Sequence, residues 1–568
     1  MGNQEIANIF YEIADILEIQ GIDFKPRAYR NAAKSIESLS SDLMEIFKKG
    51  ELRKIPGVGE HIGEKIEEIL KTGKLKYFDK LKKKVPNYIE EFMKVPGMGP
   101  KKAKLLYEKL GISTIKQLEN AAKGHKISGL GGMGNKSEED ILRGIELLKK
   151  GKGRMLLGHV YPTAEEIVGY LKKLNGVQGV EIAGSLRRMR ETVRDIDILV
   201  VSSKAENVMG HFVKFPDVME VLAKGKTKAS VVLKGGVQVD VRVVGRDVFG
   251  SAMQYFTGSK DHGIALRNIA ISKGLKLSEY GVFKGKRVVA SKTEEDVYGK
   301  LGLSYVEPEM RENRGEIGAG LKGKLPELIE YNDIKGDVHV HSNYSDGVNK
   351  IEEMVKGGIK LGYDYICITD HSQSQRIANG LEEKKLLKQI SEIDRLNKKF
   401  KGIRILKGSE VDIKSDGTLD FPEEILKKLD IVIGSIHSGF KSSNEVMTKR
   451  ILKGLDNKYI NIFAHPTGRL VNRREAYHVD LEKVFEKARE REVFLEINAF
   501  PDRSDLNDVN VLRAKEVGVK FSIGTDSHSV NHLQFMKYGI AIARRGWCEK
   551  KDILNSFKLD KVLKMVER

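Results

Sequence analysis

At 568 residues the chain is too long for one hydrophobic core, and we expect several domains. Its formal net charge of +19 indicates a polyanionic partner, most simply nucleic acid, although ribosomal and membrane-surface proteins share this balance. Two cysteines, Cys367 and Cys548, exclude a disulfide framework and indicate an intracellular protein. Since no signal-peptide core or membrane-length apolar run occurs, we expect a cytoplasmic location.

Residues 1 to about 150 are predicted to form helices joined by glycine-rich turns. Three motifs repeat there: IPGVGEHIGEKIEEIL from Ile55, VPGMGPKKAKLLYEKLGI from Val95 and a looser ISGLGGMGNKSEEDIL from Ile127. A nucleotide-binding glycine loop would follow a strand, whereas these motifs lie between helical segments. The pattern resembles the helix-hairpin-helix, which presents backbone N–H groups to a DNA phosphate. One copy is also typical of an ordinary helix–helix turn, but repetition in a basic chain favours DNA-backbone binding.

The segment GSLRRMRETVRDIDILVV, from Gly184 to Val201, predicts a metal site. Asp195 and Asp197 lie at i and i+2 of a predicted strand, so both carboxylates project from one face and can share a cation. Asp240, in the alternating run VQVDVRVV, is a third candidate. Carboxylates beside a phosphate-bearing substrate suit Mg²⁺. Either run alone could be an exposed strand edge with scattered charges, but the two together favour a metal site.

Strands predicted around 195–201, 229–233 and 237–244 suggest a mixed sheet that carries these carboxylates. Next, YFTGSKDHGIALRNIAISKGLKL from Tyr255 predicts a Gly-Ser turn that leads into a helix bearing Arg267.

From Asp337 onward, apolar runs recur and end in polar motifs: DVHVHSNYSDG, YICITDHS, IRILKGSEVDI, IVIGSIHS, INIFAHP, VFLEINAF and VKFSIGTDSH. Strands that alternate with helical segments predict a parallel, barrel-like α/β domain with its function at the carboxyl ends of the strands. Of the thirteen histidines, eight fall in this region and six of them lie in these motifs. One such histidine is usually a core residue, but six with carboxylates among them predict a multi-metal site.

Residues 1 to about 318 resemble the family X DNA polymerases, the relatives of DNA polymerase beta. The whole chain resembles the bacterial and archaeal type with a C-terminal polymerase-and-histidinol-phosphatase (PHP) domain. The resemblance implies N-terminal all-α helix-hairpin-helix domains, an α+β nucleotidyltransferase palm and thumb, and a C-terminal α/β distorted (β/α)7 PHP barrel. The implied domains are 1–88 and 89–150 (helical), 151–250 (palm), 251–318 (thumb), 319–334 (linker) and 335–568 (PHP).

In the polymerase part, the resemblance implies two Mg²⁺ ions on Asp195, Asp197 and Asp240. The implied nucleotide-binding residues are Gly184, Ser185, Arg188, Tyr255, Phe256, Gly258 and Arg267. The implied DNA-binding residues are Lys25, Tyr29, Gly57, Gly59, Lys65, Gly97 and Gly99. Lys65 matches the family's Schiff-base lysine of 5′-deoxyribose-phosphate lyase, but His61 replaces a phosphate-contacting lysine, so lyase activity stays open.

Three positions depart from DNA polymerase beta. Lys260 and Gly263 stand where that enzyme has an aspartate and an asparagine near the nascent base pair. Gln238 replaces an arginine near the primer-side carboxylate. Nucleotide affinity and fidelity therefore do not follow from the resemblance.

In the PHP part, nine residues match the family's metal ligands: His339, His341, Asp346, His371, Glu410, His437, His465, Asp526 and His528. A nitrogen and oxygen donor set without thiolate suits a cluster of three Mn²⁺, Zn²⁺ or Fe ions, with Glu410 as the natural bridge. Arg469 and Arg503, near strand ends, are candidates for holding substrate phosphates, and a surface salt bridge explains each equally well.

The function implied is a monomeric repair polymerase that fills gapped or nicked DNA with dNTPs. Its PHP domain would act as a metal-dependent 3′–5′ exonuclease, with 3′-phosphatase and abasic-site endonuclease activity left open. One alternative is a non-DNA nucleotidyltransferase fused to a small-molecule phosphatase, which leaves the hairpin motifs without a purpose. Another is an inactive scaffold that binds DNA ends, which leaves three carboxylates and nine ligands idle.

Overall fold

The computed structural model describes residues 3–19, 22, 25–37, 43–55, 57–82, 91–92, 95, 98–131, 133–151 and 154–567. The predicted hairpin glycine Gly97 lies outside this set.

The amino-terminal part of the described chain is helical. Gly59 and Gly99 occupy equivalent places, as the extended N-cap residues of two helices that each end at a glycine with left-handed backbone. Apolar residues three or four positions apart, such as Ile62, Ile66 and Ile69, bury one face of the first of these helices. The helices are Asn3–Ile19, Lys25–Glu37, Leu43–Lys48, Glu60–Thr72, Lys76–Lys82, Pro100–Leu110, Ile115–Lys123 and Asn135–Gly151.

A five-stranded mixed sheet follows. Its strands, in order across the sheet, are Val177–Ile182, Asp195–Ser202, Gln238–Val244, Lys228–Leu233 and Val218–Lys224. The second and third are parallel, and the other pairings are antiparallel. A short antiparallel pair joins Met155–Leu156 to Thr192–Val193. The helices of this unit are Leu157–Lys172, Gly184–Arg187, Ala205–Phe212 and Phe249–Thr257. The predicted strands are present, and the edge strand Val218–Lys224, with mostly exposed side chains, was not predicted.

A smaller α+β unit comes next, with the antiparallel strands Lys276–Ser278, Gly281–Lys284 and Arg287–Ala290. Its helices are Lys260–Ser272, Glu294–Lys300 and Glu316–Leu321.

The carboxyl-terminal part is a seven-stranded parallel sheet whose strands neighbour one another in chain order. They are Gly336–Val340, Tyr365–Ile368, Arg404–Asp412, Ile431–Ser435, Ile462–Phe463, Phe494–Asn498 and Phe521–Gly524. The sheet nearly closes into a barrel, because Val340 pairs with Ser527 and the amide of His341 donates to the Ser527 carbonyl at 2.8 Å. The helices are Ile351–Lys360, Glu383–Lys399, Glu423–Leu426, Asn444–Leu455, Leu481–Glu490, Asp508–Val517, Met536–Arg545 and Leu559–Val566.

The predicted multidomain fold class is confirmed: helices first, two α+β units next, and a (β/α)7 barrel last. The domain limits stay a prediction. One helix, Met536–Arg545, joins the barrel to the five-stranded sheet unit, because Tyr538 and Ala541 belong to the core of the sheet unit while Ile540 and Ala543 belong to that of the barrel. None of the helices in the described ranges is long and apolar enough to cross a lipid bilayer.

Candidate active sites: a carboxylate cluster and a nine-ligand centre

Strand register brings the three predicted carboxylates together. Asp195 and Asp197 share a face of their strand, and Asp197 pairs directly with Asp240 on the parallel neighbour. Burial raises the pKa of Asp197 to about 6, and the nearby charges of Asp195 and Asp240 add to this shift. A concentration of negative charge of this kind attracts a hard divalent cation.

Asp240 has its own supporting groups. Gln238 Nε2 donates to Asp240 Oδ1 at 3.1 Å, and Lys228 Nζ lies 3.2 Å from Asp240 Oδ2. Burial alone would raise the pKa of Asp240, but hydrogen bonds from Ser230, Gln238 and Lys228 lower it. Lys228, on the adjacent antiparallel strand, thus supplies a cation beside this carboxylate, which the sequence alone did not indicate.

The Gly184–Ser185 turn packs directly on this cluster. The Ala183 amide donates to the Asp197 carbonyl at 2.8 Å, and Gly184 has a left-handed φ of 65°. A β-carbon on Gly184 would lie 2.3 Å from Asp197 Oδ2, so only glycine fits there.

Among the other predicted nucleotide-binding residues, Arg188 lies close to Gly258, and the aromatic pair and Arg267 lie on the two helices that flank this glycine. The Arg188 guanidinium donates through Nη1 to the Thr257 carbonyl at 2.5 Å and through Nε to Glu312 at 3.0 Å. Tyr255 and Phe256 make an edge-to-face pair at the end of the helix Phe249–Thr257, with ring centroids 5.1 Å apart. Gly258 follows, and a β-carbon there would lie 3.1 Å from Arg188 Nη1. Arg267 is half-buried on the next helix.

The barrel gathers all nine predicted ligands at the carboxyl ends of its strands. Three overlapping groups have ligand atoms within 4.8 Å of one another. The groups are His341, Asp346, His371 and His528; His339, His341 and Asp526; and His371, Glu410 and His437. The ninth ligand, His465, has Nε2 2.8 Å from Glu410 Oε1.

Glu410 lies at the centre of this arrangement. Its Oε1 is also 3.2 Å from His437 Nε2. Its Oε2 lies 3.0 to 3.5 Å from nitrogens of three further imidazoles, those of His339, His341 and His371. A fully buried carboxylate whose two oxygens face different groups of histidines has the geometry of a bridging ligand.

Several side-chain atoms of the ligand residues have no hydrogen-bond partner in the described part of the chain although they are buried. They are His341 Nδ1, His371 Nδ1, Glu410 Oε2, His437 Nε2 and His465 Nδ1. His371 Nδ1 and Glu410 Oε2 lie only 3.0 Å apart, and the Nε2 atoms of His339 and His341 face each other at 3.1 Å. Buried polar atoms are normally paired, so these orphaned donors fit a cluster of divalent ions.

Neighbouring carboxylates orient the imidazoles. The buried Glu496 accepts from His339 Nδ1 at 2.6 Å and from the His465 amide at 2.8 Å. Asp412 accepts from His437 Nδ1 at 2.6 Å. The contacts to the rings of His339 and His437 leave Nε2 of each ring as the ligand atom, and the contact to the His465 amide fixes the backbone that carries His465. Sequence reasoning missed both carboxylates, although each lies within a strand motif already singled out, at Glu496 of VFLEINAF and Asp412 of SEVDI.

The two strand-end arginines are both in ion pairs. Arg503 Nε lies 2.9 Å from the ligand Asp526, with its side chain 21% exposed. Arg469 pairs with Glu191 of the sheet unit at 2.5 Å and is more deeply buried. Each arginine therefore forms a salt bridge, but neither salt bridge lies at the open surface as expected, and a role in holding substrate phosphates stays a prediction.

The predicted DNA-binding residues lie on the amino-terminal helices. Gly57 and Gly59 are exposed at the first hairpin, and Lys25 is exposed. Lys65 Nζ donates to the His61 carbonyl at 3.0 Å and lies 5.0 Å from the centroid of the Tyr77 ring. Tyr29 belongs to the core of this unit and stacks on Tyr77.

Comparison with known proteins decides the family. The chain is 39% identical, over the full length of both proteins, to the "DNA polymerase/3′-5′ exonuclease PolX" of Bacillus subtilis strain 168. The chain belongs to family X of the DNA polymerases. Models for a helix-hairpin-helix domain, a SAM-like helix-hairpin-helix tandem, the DNA polymerase beta thumb and the PHP domain match residues 1–75, 89–146, 252–312 and 337–500 of this family X polymerase.

The PHP part also has relatives of its own. A probable phosphatase of Thermoanaerobacter sp. strain X514 is 37% identical over 203 residues, which are 34% of this chain and 78% of that protein. A probable phosphatase of Acetivibrio thermocellus is 33% identical over 201 residues, again 34% and 78% of the two chains. For a family X polymerase with a PHP domain, the ligand clusters described above are those of an enzyme that depends on divalent metal ions.

Proposed function

We propose that the chain is a template-directed DNA polymerase that fills short gaps during DNA repair. The observation that carries this proposal is the register of Asp197 with Asp240, which brings the carboxylates of two parallel strands to one place beside the Gly184 turn. The hairpin glycines, the thumb match and the full-length relative agree with it.

In this proposal Asp195, Asp197 and Asp240 would hold two Mg²⁺ ions. When bound, such ions supply the positive charge that makes a primer 3′-hydroxyl more acidic and offsets the charge of the triphosphate. Ser185 and Arg188 contact the β and γ phosphates, while Tyr255, Phe256 and Gly258 line the sugar pocket and Arg267 follows the minor groove. Lys228 and Gln238 hold Asp240 in place, where DNA polymerase beta uses an arginine.

We further propose that the barrel is a 3′–5′ exonuclease. Its nine ligand residues would hold a cluster of three ions, of Mn²⁺, Zn²⁺ or Fe, and Glu410 would be the bridging carboxylate. When bound, the ions supply charge beside a scissile phosphodiester and lower the pKa of water. Hydrolysis of the last phosphodiester releases a nucleoside 5′-monophosphate and leaves a 3′-hydroxyl, which is the end that the polymerase site needs.

A gapped-duplex assay with Mg²⁺ or Mn²⁺ tests both proposals at once. Asp240→Ala is expected to abolish extension and keep 3′ trimming, and His341→Ala is expected to do the opposite. Absence of both activities in the wild-type protein would favour an inactive DNA-end scaffold. Nucleotide transfer to an acceptor other than a primer would favour the non-DNA nucleotidyltransferase.

A second activity for the barrel is favoured by its similarity to probable phosphatases. We propose that the same centre removes a 3′-phosphate, because a phosphomonoester presents the same non-bridging oxygens to the ions as a phosphodiester. An oligonucleotide with a 3′-phosphate, followed by mass spectrometry, tests this. Release of phosphate that is lost in His341→Ala supports it, and no release excludes it.

DNA is bound, in this proposal, through the phosphate backbone at the hairpins around Gly57, Gly59, Gly97 and Gly99. Lys25 and Lys65 receive the 5′-phosphate of a gap, while Tyr29 lies in the core and supports Tyr77 beneath Lys65. Fluorescence anisotropy with gapped DNA, with and without the 5′-phosphate, tests this assignment. Lys65→Met is expected to remove the preference for the phosphate, and Lys71→Met, on the same helix, is the matched control. Borohydride trapping on an abasic 5′-phosphate decides whether Lys65 also forms a Schiff base.

A monomer is proposed as the active form, and light scattering coupled to gel filtration tests it. Elemental analysis of the purified protein identifies the metals of the barrel.

A further inference from the structure

A buried network of charges joins the barrel to the polymerase site. Arg545, the last residue of the helix Met536–Arg545, donates through Nη1 to the backbone carbonyl of Arg188 at 2.7 Å. The same nitrogen lies 3.1 Å from Glu312 Oε1, which also accepts from Arg188 Nε at 3.0 Å. Arg545 therefore holds Arg188 twice, once at its backbone and once through the shared carboxylate.

The network continues into the barrel. Nη2 of Arg545 donates to Asp508 at 2.6 Å, and Arg314 reaches the same carboxylate at 2.9 Å. Arg190 donates to the other oxygen of Glu312 at 3.1 Å. The side chains of Arg545 and Glu312 are only 4% and 9% exposed, so water screens these charges weakly.

The charge of the network and the fixed position of the Arg188 guanidinium favour binding of an anion at Arg188. Four arginines share two carboxylates, so the network has a net charge of about +2 (4 − 2). Two nitrogens of the Arg188 guanidinium, Nε and Nη1, are fixed by Glu312 and by the Thr257 carbonyl. Its third nitrogen, Nη2, has no hydrogen bond to any described residue and remains available to a phosphate oxygen.

We propose that Arg545, with Asp508 behind it, is a positioning residue for nucleotide binding in the polymerase site, supplied by the PHP domain. Without Arg545, Glu312 loses one of the three arginines whose charges stabilise it as an anion, and it pairs more closely with Arg188. The turn that carries Arg188 also loses its tether to the barrel. Both changes weaken the binding of the nucleotide triphosphate by Arg188, because phosphate oxygens are the groups that a guanidinium recognises.

The test uses the full chain and measures primer extension as a function of dNTP concentration. Arg545→Met is expected to raise the KM for dNTP about tenfold or more, with kcat within about twofold of wild type. Its 3′–5′ exonuclease rate and thermal midpoint report on the fold of the barrel. Arg545→Lys keeps the charge but not the two-pronged geometry of the guanidinium. Its KM for dNTP is expected to lie between those of the wild type and Arg545→Met. Arg513→Met, which removes a surface arginine of the same domain, is the control and leaves KM unchanged.

Asp508→Asn is a second variant, which keeps Arg545 but removes the negative charge that Arg545 Nη2 binds. A smaller rise in the KM for dNTP is expected. The inference rests on the proposed polymerase function, and the two fail differently. A wild-type protein that extends no primer overturns the function. A wild-type protein that extends primers, with unchanged KM in Arg545→Met or, if that variant does not fold, in Asp508→Asn, overturns the inference alone. A fall in kcat without a rise in KM indicates a merely structural role and also overturns it.

Discussion

Gly184 lies against the carboxylate of Asp197, so closely that a β-carbon on the glycine would come within 2.3 Å of Oδ2. Gly184→Ala is therefore expected to push the Asp197 carboxylate away from Asp240 and to lower primer extension at least about a hundredfold. Gly274→Ala is the matched control, because Gly274 has nearly the same φ, 66° against 65°, and open space around it.

Both substitutions put alanine in a left-handed conformation and cost about 1–2 kcal/mol of stability. Only Gly184→Ala is expected to lose activity in a steady-state extension assay. Equal activity loss in the two variants would show that backbone strain, and not the displaced carboxylate, is responsible.

Glu496 fixes the orientation of His339 through a 2.6 Å hydrogen bond at the base of the nine-ligand centre. Both carboxylate oxygens of Glu496 accept hydrogen bonds. Glu496→Gln replaces one of these oxygens with an NH₂ group, which can only donate, so one of the two hydrogen bonds is lost. We expect metal affinity to fall about 10- to 100-fold. Elemental analysis after dialysis at graded Mn²⁺ concentrations measures this. The exposed Glu490→Gln is the control, and equal metal retention in both variants would refute the role of Glu496.

The junction of palm and barrel depends on Gly158, since a β-carbon there would lie 2.3 Å from Pro501 Cγ. Gly158→Ala is expected to lower the free energy of unfolding by about 1–3 kcal/mol, because the contact cannot open without moving one unit from the other. Gly169→Ala, in the same helix and with nothing near its β-carbon, is expected to stabilise the protein by about 0.5–1 kcal/mol. Urea denaturation compares them, and a neutral Gly158→Ala would contradict the packing argument.

His262 makes the thumb sensitive to acid. The buried imidazole donates from Nδ1 to Glu316 at 2.7 Å and accepts at Nε2 from the Tyr298 hydroxyl at 2.8 Å. Burial, with the charges of Arg311 and Arg188, lowers its pKa below 6.5 although Glu316 opposes this. As the pH falls through about 6.5 the unfolded chain takes up the proton first, so stability decreases.

Glu316 acts in the same direction at lower pH. Burial alone would raise its pKa, but His262 and backbone amides hold it below 4.5, so its contribution is lost as the pH falls through the folded value. His262→Gln, which can keep both hydrogen bonds, is expected to flatten the stability profile between pH 6.5 and 5 by up to about 1.4 kcal/mol per pH unit. Urea midpoints across this range measure the effect. A profile as steep as that of wild type would refute it.

Much of both sites could be predicted because their residues follow local patterns. The spacing of Asp195 and Asp197 is a property of a single strand, and the histidines each follow an apolar run. Periodicity predicted an initial helical part, a mixed sheet and a parallel α/β barrel, whereas the thumb and the sevenfold barrel were implied by the family resemblance. Glu496 and Asp412 were missed because a carboxylate inside a buried strand has no local signature of what it orients. The pairing of Arg545 with Glu312 joins residues 233 positions apart, and no spacing in the sequence reports it.

The helix Met536–Arg545 has both of its faces covered, one by the palm and the other by the barrel. A fragment that stops after the thumb would leave the palm core without Tyr538 and Ala541. The apolar side chains of the palm that contact these residues would then be exposed to water. Truncation is therefore unsuitable for measuring the activity of each half separately, since the isolated fragments would tend to aggregate. Point substitutions in the intact chain keep the contacts of this helix with both units.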